Sequence, residues 1–259
     1  VSQIKQNFMC KFYKYYKELK KSKESPLQTA FPFLMKEKCC VSFVGAGGKS
    51  SLIACIADWG ALHKKKVLVT TTTHIFRPSS LKLAQNEQEL EHIWQTDNWA
   101  VIGTVDSVQP QKLQSPDPHW LQRAAELADL ILIEADGSKH LPCKVPDSHE
   151  PVILPQTDVV VAVLGLSALN LPLKDCCFRL DKATKLLSAK ESHPLTCQHM
   201  ATIFTSSQGL RKATNNSEYV VVLNQCDNED RKNAGEQISD ILCGLDPTIN
   251  HIILTKLHP

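Results

Sequence analysis

The stretch that decides the fold is an apolar strand that runs into a glycine-rich turn, Val41-Ser42-Phe43-Val44-Gly45-Ala46-Gly47-Gly48-Lys49-Ser50-Ser51. Glycines permit positive φ angles, so the backbone N–H groups of such a turn can point at phosphate oxygens. Lys49 can reach the β- and γ-phosphates of a nucleotide, and the Ser50 hydroxyl can ligate Mg²⁺. The next residues begin a helix whose N-terminal dipole attracts anions. The predicted phosphate-binding residues are Gly45, Ala46, Gly47, Gly48, Lys49, Ser50 and Ser51.

This turn has the short form of the phosphate-loop motif. The usual pattern GxxxxGK[ST] needs glycine at position 43, where the chain has phenylalanine. The turn therefore matches the GxxGK[ST] pattern of Mur-type ligases and some maturation GTPases. A dinucleotide-binding GxGxxG pattern would need glycine at position 50, which is serine. The spacing favours a P-loop over a dinucleotide site or a purely structural turn.

Around the loop, apolar β-rich runs alternate with helix-length segments, a pattern typical of a mainly parallel sheet with helices on both faces. The predicted strands are Cys40–Val44, Val67–Thr70, Ala100–Thr104, Leu130–Glu134, Val159–Leu164, Tyr219–Leu223 and His251–Leu254. The predicted helices are Lys49–Leu62, Glu87–Trp94, Pro118–Ala128, Asp181–Ala189, Ser206–Ala213 and Glu229–Cys243. We therefore predict an α/β protein with a P-loop NTPase-like fold.

The charge distribution suggests two parts. The net charge is +2, yet residues 1–38 hold nine lysines and three glutamates. We expect residues 1–37 to form a basic N-terminal extension, either a solvated helix or disordered, ahead of one domain over residues 38–259. Because the rest of the chain offers no matching basic surface, we do not expect a nucleic acid partner.

The distribution of apolar residues in the sequence does not predict a membrane-spanning helix. No run approaches the ~20 uninterrupted apolar residues that a membrane helix needs. The N-terminus lacks the apolar core and small-residue cleavage site of a secretory signal. We expect a cytoplasmic protein with no membrane partner.

Threonines follow the second predicted strand, at the edge of a parallel sheet where ligands bind. Thr71, Thr72 and Thr73 come directly after Val67–Thr70. Their hydroxyls could ligate Mg²⁺ or position an attacking water. We predict a catalytic or switch role for these three residues, together with Lys49.

An apolar strand, Leu130–Glu134, ends in acidic residues, as a Walker B strand does. The Walker B carboxylate holds the Mg²⁺ of the bound nucleotide, and the sequence leaves open whether Glu134 or Asp136 does so. Asp136 is also a catalytic candidate. A long proline-rich loop over 136–156 follows, of a kind that is usually functional or disordered. Its candidates for holding a second substrate are Lys139, Lys144, His149 and Glu150.

A base-recognition motif is predicted after the strand Tyr219–Leu223. GTPases carry [NT]KxD at this place, where the Asp accepts two hydrogen bonds from guanine and the Asn packs near the base. This chain has Asn224-Gln225-Cys226-Asp227. Gln225 replaces the lysine whose stem lies over the base, so the choice between GTP and ATP stays open.

With these residues in view, the chain resembles the YqeC family, described as selenium-dependent molybdenum hydroxylase accessory proteins. The resemblance covers about residues 38–259. The motifs that carry it are Val44-Gly45-Ala46-Gly47-Gly48-Lys49-Ser50, Val69-Thr70-Thr71-Thr72-Thr73, Glu134-Ala135-Asp136-Gly137-Ser138, His149-Glu150-Pro151-Val152-Ile153, Gly165-Leu166-Ser167-Ala168-Leu169 and Leu223-Asn224-Gln225-Cys226-Asp227.

The resemblance implies a P-loop NTPase-like accessory protein that acts in the maturation of a selenium-dependent molybdenum enzyme, such as a xanthine dehydrogenase. The leading hypothesis is a Mg²⁺-dependent nucleotide hydrolase, with GTP favoured over ATP, coupled to cofactor assembly or insertion. Metal-delivery GTPases often dimerise, so a homodimer is allowed, although no segment identifies an interface.

Two other functions stay open at this point. The short Mur-like loop also suits an ATP-dependent ligase or kinase, whose acceptor the second-substrate candidates would hold. Because no residue stands out as a general base, a non-catalytic scaffold that binds nucleotide and a client enzyme is the third hypothesis. The enzyme class is therefore not decided by the sequence.

Overall fold

The computed structural model describes residues 10–76, 83–96, 98–214 and 217–257. Its strands are β1 (Lys11–Tyr16), β2 (Lys21–Glu24), β3 (Cys39–Gly45), β4 (Val67–Thr71), β5 (His74–Phe76), β6 (Ala100–Val101), β7 (Thr104–Val105), β8 (Lys112–Gln114), β9 (Leu130–Glu134), β10 (Cys143–Lys144), β11 (Val159–Gly165), β12 (Cys177–Phe178), β13 (Glu218–Asn224) and β14 (His251–Lys256). Its α-helices are α1 (Leu27–Ala30), α2 (Lys49–Leu62), α3 (Glu87–Gln95), α4 (Pro118–Leu127), α5 (Leu173–Cys176), α6 (Leu180–Leu187), α7 (Cys197–Thr205) and α8 (Glu229–Leu245). Among these helices, none combines the length and the apolar character needed to cross a membrane.

A nine-stranded sheet passes through the described part of the chain in the order β2-β1-β14-β13-β11-β3-β9-β4-β6. β3, which leads into the predicted phosphate loop, is parallel to β11 on one side and to β9 on the other. Neighbouring strands from β14 to β6 are parallel, whereas β1 and β2 continue the sheet as an antiparallel hairpin. The carboxyl ends of the parallel strands therefore meet at one edge, where α/β proteins bind ligands.

Both faces of the sheet are covered by helices, as predicted. Along β11, Val161 and Val163 pack with Ile56 of α2 on one face. Ala162 and Leu164 point to the other face and pack in the cluster that includes α7 and α8. Burying a valine, leucine or isoleucine side chain stabilises the fold by ~1.5–3 kcal/mol, so central strands buried on both sides hold the helical layers in place. The predicted α/β, P-loop NTPase-like fold is confirmed.

The basic N-terminal segment differs from the prediction. From residue 11 it is neither a helix nor separate from the domain, because β1 pairs with β14 and β2 pairs with β1. Phe12 packs on the face that α2 covers, and its ring lies 5.9 Å from that of Phe31. Tyr15 points to the opposite face and donates a 2.5 Å hydrogen bond to Asp240 Oδ1. Aromatic residues that alternate between two apolar faces favour a strand, and the lysines between them obscured that pattern.

One predicted helix is wrong. The segment Ser206–Ala213 forms turns, and the helix α7 lies just before it. Thr196 directly precedes α7, and its hydroxyl caps the helix by accepting a hydrogen bond from His199 N at 3.1 Å. The chain reverses after the helix, where Leu210 N donates to Ile203 O at 2.7 Å. Thr196 is therefore the residue in the sequence that marks the true start of this helix.

Candidate functional site

The phosphate loop is shaped by glycines that no other residue could replace without strain. Gly47 and Gly48 have φ angles of +78° and +116°. A Cβ on Gly47 would lie 2.8 Å from Pro142 O and would also clash with Gly165 N, while a Cβ on Gly48 would clash with Asn224 Nδ2. The loop is thus packed tightly between the segment before Lys144 and the end of β13.

Lys49 is buried at the start of α2 and faces the acidic end of β9. Its Nζ donates to Gly45 O at 2.5 Å, and it lies 3.2 Å from Asp136 Oδ1 and 3.8 Å from Glu134 Oε1. Burial is the largest influence on the Lys49 pKa and lowers it, but Asp136 and Glu134 together outweigh burial, so the pKa is raised. The ammonium group therefore stays charged beside the loop.

Asp136 and Glu134 have different surroundings. Asp136 is fully buried, and each of its carboxylate oxygens lies 3.0 Å from the N–H of Gly45, which donates to them. Glu134 accepts a 2.9 Å hydrogen bond from the Ser50 hydroxyl. Burial raises the Glu134 pKa, and the lysine and serine contacts only partly offset that rise. Asp136 is thus tied to the loop backbone, whereas Glu134 faces an exposed serine at the helix start.

The predicted threonines lie at the neighbouring strand end and contact the backbone. The Thr71 hydroxyl donates to Glu134 O at 2.9 Å and accepts from Thr73 N at 3.0 Å. The Thr72 hydroxyl donates to Val152 O at 2.7 Å. These hydroxyls connect β4 to the acidic strand and to the long loop over 136–156, so that the three elements form one structural unit.

The four second-substrate candidates separate into two pairs. Lys144 and Glu150 are buried and form a 3.0 Å ion pair with each other. Contacts with Lys144 and Arg179 offset the effect of burial and lower the Glu150 pKa. Lys139 and His149 are exposed. Lys139 and His149 are thus accessible to an acceptor at the surface, whereas Lys144 and Glu150 are paired with each other below it.

Two residues that sequence reasoning missed hold the long loop in place. Arg179 lies 3.4 Å from Glu150 Oε1 and 3.4 Å from Asp147 Oδ2. Lys212 Nζ donates to the carbonyl oxygens of Asp147, Ser148 and Glu150 at 2.6–2.7 Å. Both side chains come from elsewhere in the chain, and no local motif marks them. The loop, which contains just the two-residue strand β10 among its described residues, is therefore fixed by charges.

Asn224 of the predicted base motif contacts the phosphate loop directly. Its side chain is buried, donates to Gly47 O at 2.7 Å and accepts from the Thr255 hydroxyl at 2.7 Å. Asn224 therefore connects the ends of β13 and β14 to the loop. Asn224 was predicted to pack near the base, and Thr255 was not predicted because no local motif marks it.

Asp227, the other residue of that motif, lies at the surface. Its side chain is 45% exposed and pairs with Arg231, four residues further on in the first turn of α8, at 2.7 Å. Gln225 adopts a φ of +63°, and its side-chain oxygen accepts a hydrogen bond from Ser167. The glutamine is thus held by Ser167 at the end of β11.

The chain matches a known protein family. The model of the YqeC family, described as "YqeC protein", matches residues 41–181, which is more than half of the sequence. This chain belongs to the YqeC family. The family predicted from the sequence motifs is thereby confirmed, and the matched range contains the phosphate loop, the acidic strand and the long loop.

The chain is similar to a curated relative and to a solved structure. The "Uncharacterized protein YqeC" of Escherichia coli (strain K12) is 37% identical over 141 residues, which are 50% of this chain and 53% of that protein. The match thus spans about half the length of that relative. The crystal structure of the hydrogenase maturation factor HypB from Archaeoglobus fulgidus has a TM-score of 0.42 and 12% identity, over 88% of this chain and 85% of that one.

Proposed function

We propose that this protein binds a nucleoside triphosphate with Mg²⁺, prefers GTP, and hydrolyses it as an accessory factor in enzyme maturation. The observation that carries the proposal is Lys49, a buried charged lysine that extends along a glycine loop toward two carboxylates of the neighbouring parallel strand. A P-loop lysine in this place binds the β- and γ-phosphates. The loop N–H groups and the N-terminus of α2 add attraction for anions.

The residues around Lys49 also fit a magnesium ion. Mg²⁺ prefers oxygen ligands and is usually held by one or two carboxylates together with substrate phosphates. The Ser50 hydroxyl and the Glu134 carboxylate are 2.9 Å apart at the start of α2. Asp136 is already bound by Gly45 N and Lys49, so we assign the metal to Ser50 and Glu134 and give Asp136 the task of positioning the loop. The ion would neutralise phosphate charge in the reaction.

The residues of the predicted base motif support a preference for GTP. Asn224 contacts the loop through Gly47 O and is itself held by Thr255, so the end of β13 keeps a fixed distance from the phosphates. Asp227 lies three residues further on, with an exposed carboxylate that can accept hydrogen bonds from guanine. Its ion pair with Arg231 is partly exposed, and exposed pairs contribute little, about 0.2–1 kcal/mol. The carboxylate can therefore exchange Arg231 for a base.

We place the activity in the maturation of a selenium-dependent molybdenum hydroxylase, by cofactor assembly or insertion. This context is what the resemblance of the sequence motifs to the YqeC family implies, and the chain belongs to that family. In this account, Thr71, Thr72 and Thr73 form the switch, because their hydroxyls join the acidic strand to the long loop. The exposed Lys139 and His149 are available to a client or its cargo.

A titration with fluorescent GTP and ATP analogues in the presence of Mg²⁺ tests the proposal, with an Asp227→Ala variant alongside. We expect tighter binding of GTP, and a loss of that preference in the variant with little change in affinity for ATP. A preference for ATP, or no response to the Asp227 change, would contradict the guanine site. Phosphate release from GTP, measured with and without Glu134→Gln, then tests hydrolysis; the wild type should turn over and the variant should not.

A further inference from the structure

Lys144 is a second buried lysine beside the phosphate loop. Its side chain has no exposed surface, and its Nζ has three partners: Asp136 Oδ2 at 3.1 Å, Glu150 Oε2 at 3.0 Å and Gly137 O at 2.6 Å. An ammonium group has three N–H donors, so every donor is used. A buried charge is costly unless it is paired and hydrogen-bonded, and this lysine satisfies both conditions through the acidic residues of the site.

Asp136 is shared between Lys144 and the lysine of the phosphate loop. Its Oδ1 lies 3.2 Å from Lys49 Nζ, and its Oδ2 lies 3.1 Å from Lys144 Nζ. A single carboxylate group therefore separates the two ammonium groups. The same carboxylate accepts a hydrogen bond from Gly45 N. Asp136 therefore connects Lys144 both to the loop backbone and to Lys49.

The chain segment that carries Lys144 is packed against the loop. Pro142 O accepts a 2.8 Å hydrogen bond from Gly165 N. The same oxygen lies 2.8 Å from the position that a Cβ on Gly47 would occupy. Glu150, on the far side of Lys144, is held in turn by Arg179. Lys144 is thus fixed from both directions and would keep its place when a nucleotide enters.

From this geometry we infer that Lys144 binds the terminal phosphate of the nucleotide and makes the site select triphosphates over diphosphates. The inference rests on the proposed function. In P-loop proteins the lysine of the loop contacts the β- and γ-phosphates, next to the acidic strand. A terminal phosphate oxygen takes over from Asp136 as the acceptor for Lys144 Nζ. A diphosphate lacks that oxygen and leaves the Lys144–Asp136 pair unchanged.

The ratio of the dissociation constants for the diphosphate and for a slowly hydrolysed triphosphate analogue, both with Mg²⁺, tests the inference. Losing one charge-assisted hydrogen bond is expected to reduce this ratio roughly 10- to 100-fold in Lys144→Gln. The matched control is Lys182→Gln. Lys182 also carries one positive charge and pairs with Asp147, at the outer end of the same set of ion pairs, so this change should leave the ratio within about threefold.

A measurement on the wild-type protein covers the case in which Lys144→Gln does not fold. The ¹⁵N resonance of the buried Lys144 ammonium, identified by its absence in Lys144→Arg, should shift on adding the triphosphate analogue and stay in place with the diphosphate. An unchanged ratio in folded Lys144→Gln, or an equal shift of the resonance with both nucleotides, would overturn this inference and leave the proposed function intact. A wild-type protein that binds neither nucleotide would refute the proposed function itself.

Discussion

The phosphate loop is held from two sides that differ in chemistry. On the acidic side, Lys49, Asp136 and Lys144 form a buried series of ion pairs in the range that the YqeC family model matches. On the side of β13, where the base motif was predicted, the neutral Asn224 contacts the loop, and the charged Asp227 lies at the surface beyond the matched range. Buried ion pairs are costly to break, whereas exposed ones contribute little. Changes on the acidic side should therefore abolish function, and changes at Asp227 should alter selectivity.

The largest effect on stability is expected where the two sides meet, at Gly47. Gly47→Ala places a Cβ against Gly165 N and Pro142 O at a positive φ, so the free energy of unfolding should fall by about 3 kcal/mol or more. Gly137→Ala is the matched control, because a Cβ there meets no atom within 4 Å. Denaturant unfolding should show a change of less than about 1 kcal/mol for the control. Equal effects of the two changes would contradict the packing of the loop.

Removing the neutral contact should have the next largest effect. Asn224→Ala leaves Gly47 O and the Thr255 hydroxyl without their buried partner, which should lower the free energy of unfolding by about 1–3 kcal/mol. Because the contact positions the loop and does not read the base, affinities for GTP and ATP should fall by similar factors. Thermal melting and nucleotide titration check both points. A loss of affinity for GTP alone would show that Asn224 recognises the base and would contradict its role in positioning the loop.

The pH dependence of binding should come from the acidic side. Burial raises the Glu134 pKa, so this carboxyl takes up a proton at a higher pH than an ordinary glutamate and then no longer ligates Mg²⁺. The Lys49 pKa is also raised, so the lysine stays charged over the same range. Mg²⁺-dependent nucleotide affinity should therefore weaken as the pH falls, and should begin to weaken above the range of ordinary glutamate. Glu134→Gln should bind weakly with no such dependence, and a flat wild-type profile would refute the assignment.

The smallest change in stability is expected at the exposed ion pair. Arg231→Ala should change the free energy of unfolding by no more than about 1 kcal/mol, because a partly exposed ion pair such as the one with Asp227 contributes little. Freed from Arg231, Asp227 should bind guanine as well as before or slightly better. A loss of GTP affinity greater than a few fold would show that Arg231 itself takes part in binding.

Local patterns predicted the elements that meet at the site, and long-range contacts determined the rest. The spacing around Lys49 predicted the strand, turn and helix, since glycine conformations and an apolar run are local properties. Asn224 was predicted at its strand end, but its contact with Gly47 joins two residues that are 177 positions apart in sequence. The burial of Lys144 depends on how the loop over 136–156 folds to bring Asp136 and Glu150 to its ammonium group. Arg179, from a later segment, pairs in turn with Glu150. Neither composition nor motif spacing encodes these contacts, which is why Lys144 was predicted simply as a candidate for holding a second substrate on the long loop.

The measurement that tests the central claim most directly is calorimetric titration of Mg²⁺·GTP and Mg²⁺·ATP into wild-type protein and into Lys49→Ala. The account predicts saturable binding of at least GTP by the wild type. It predicts no detectable binding by the variant, whose circular dichroism spectrum and cooperative melting should show that it is folded. A folded Lys49→Ala variant that binds nucleotide as tightly as the wild type would contradict the claim that this loop is the phosphate site.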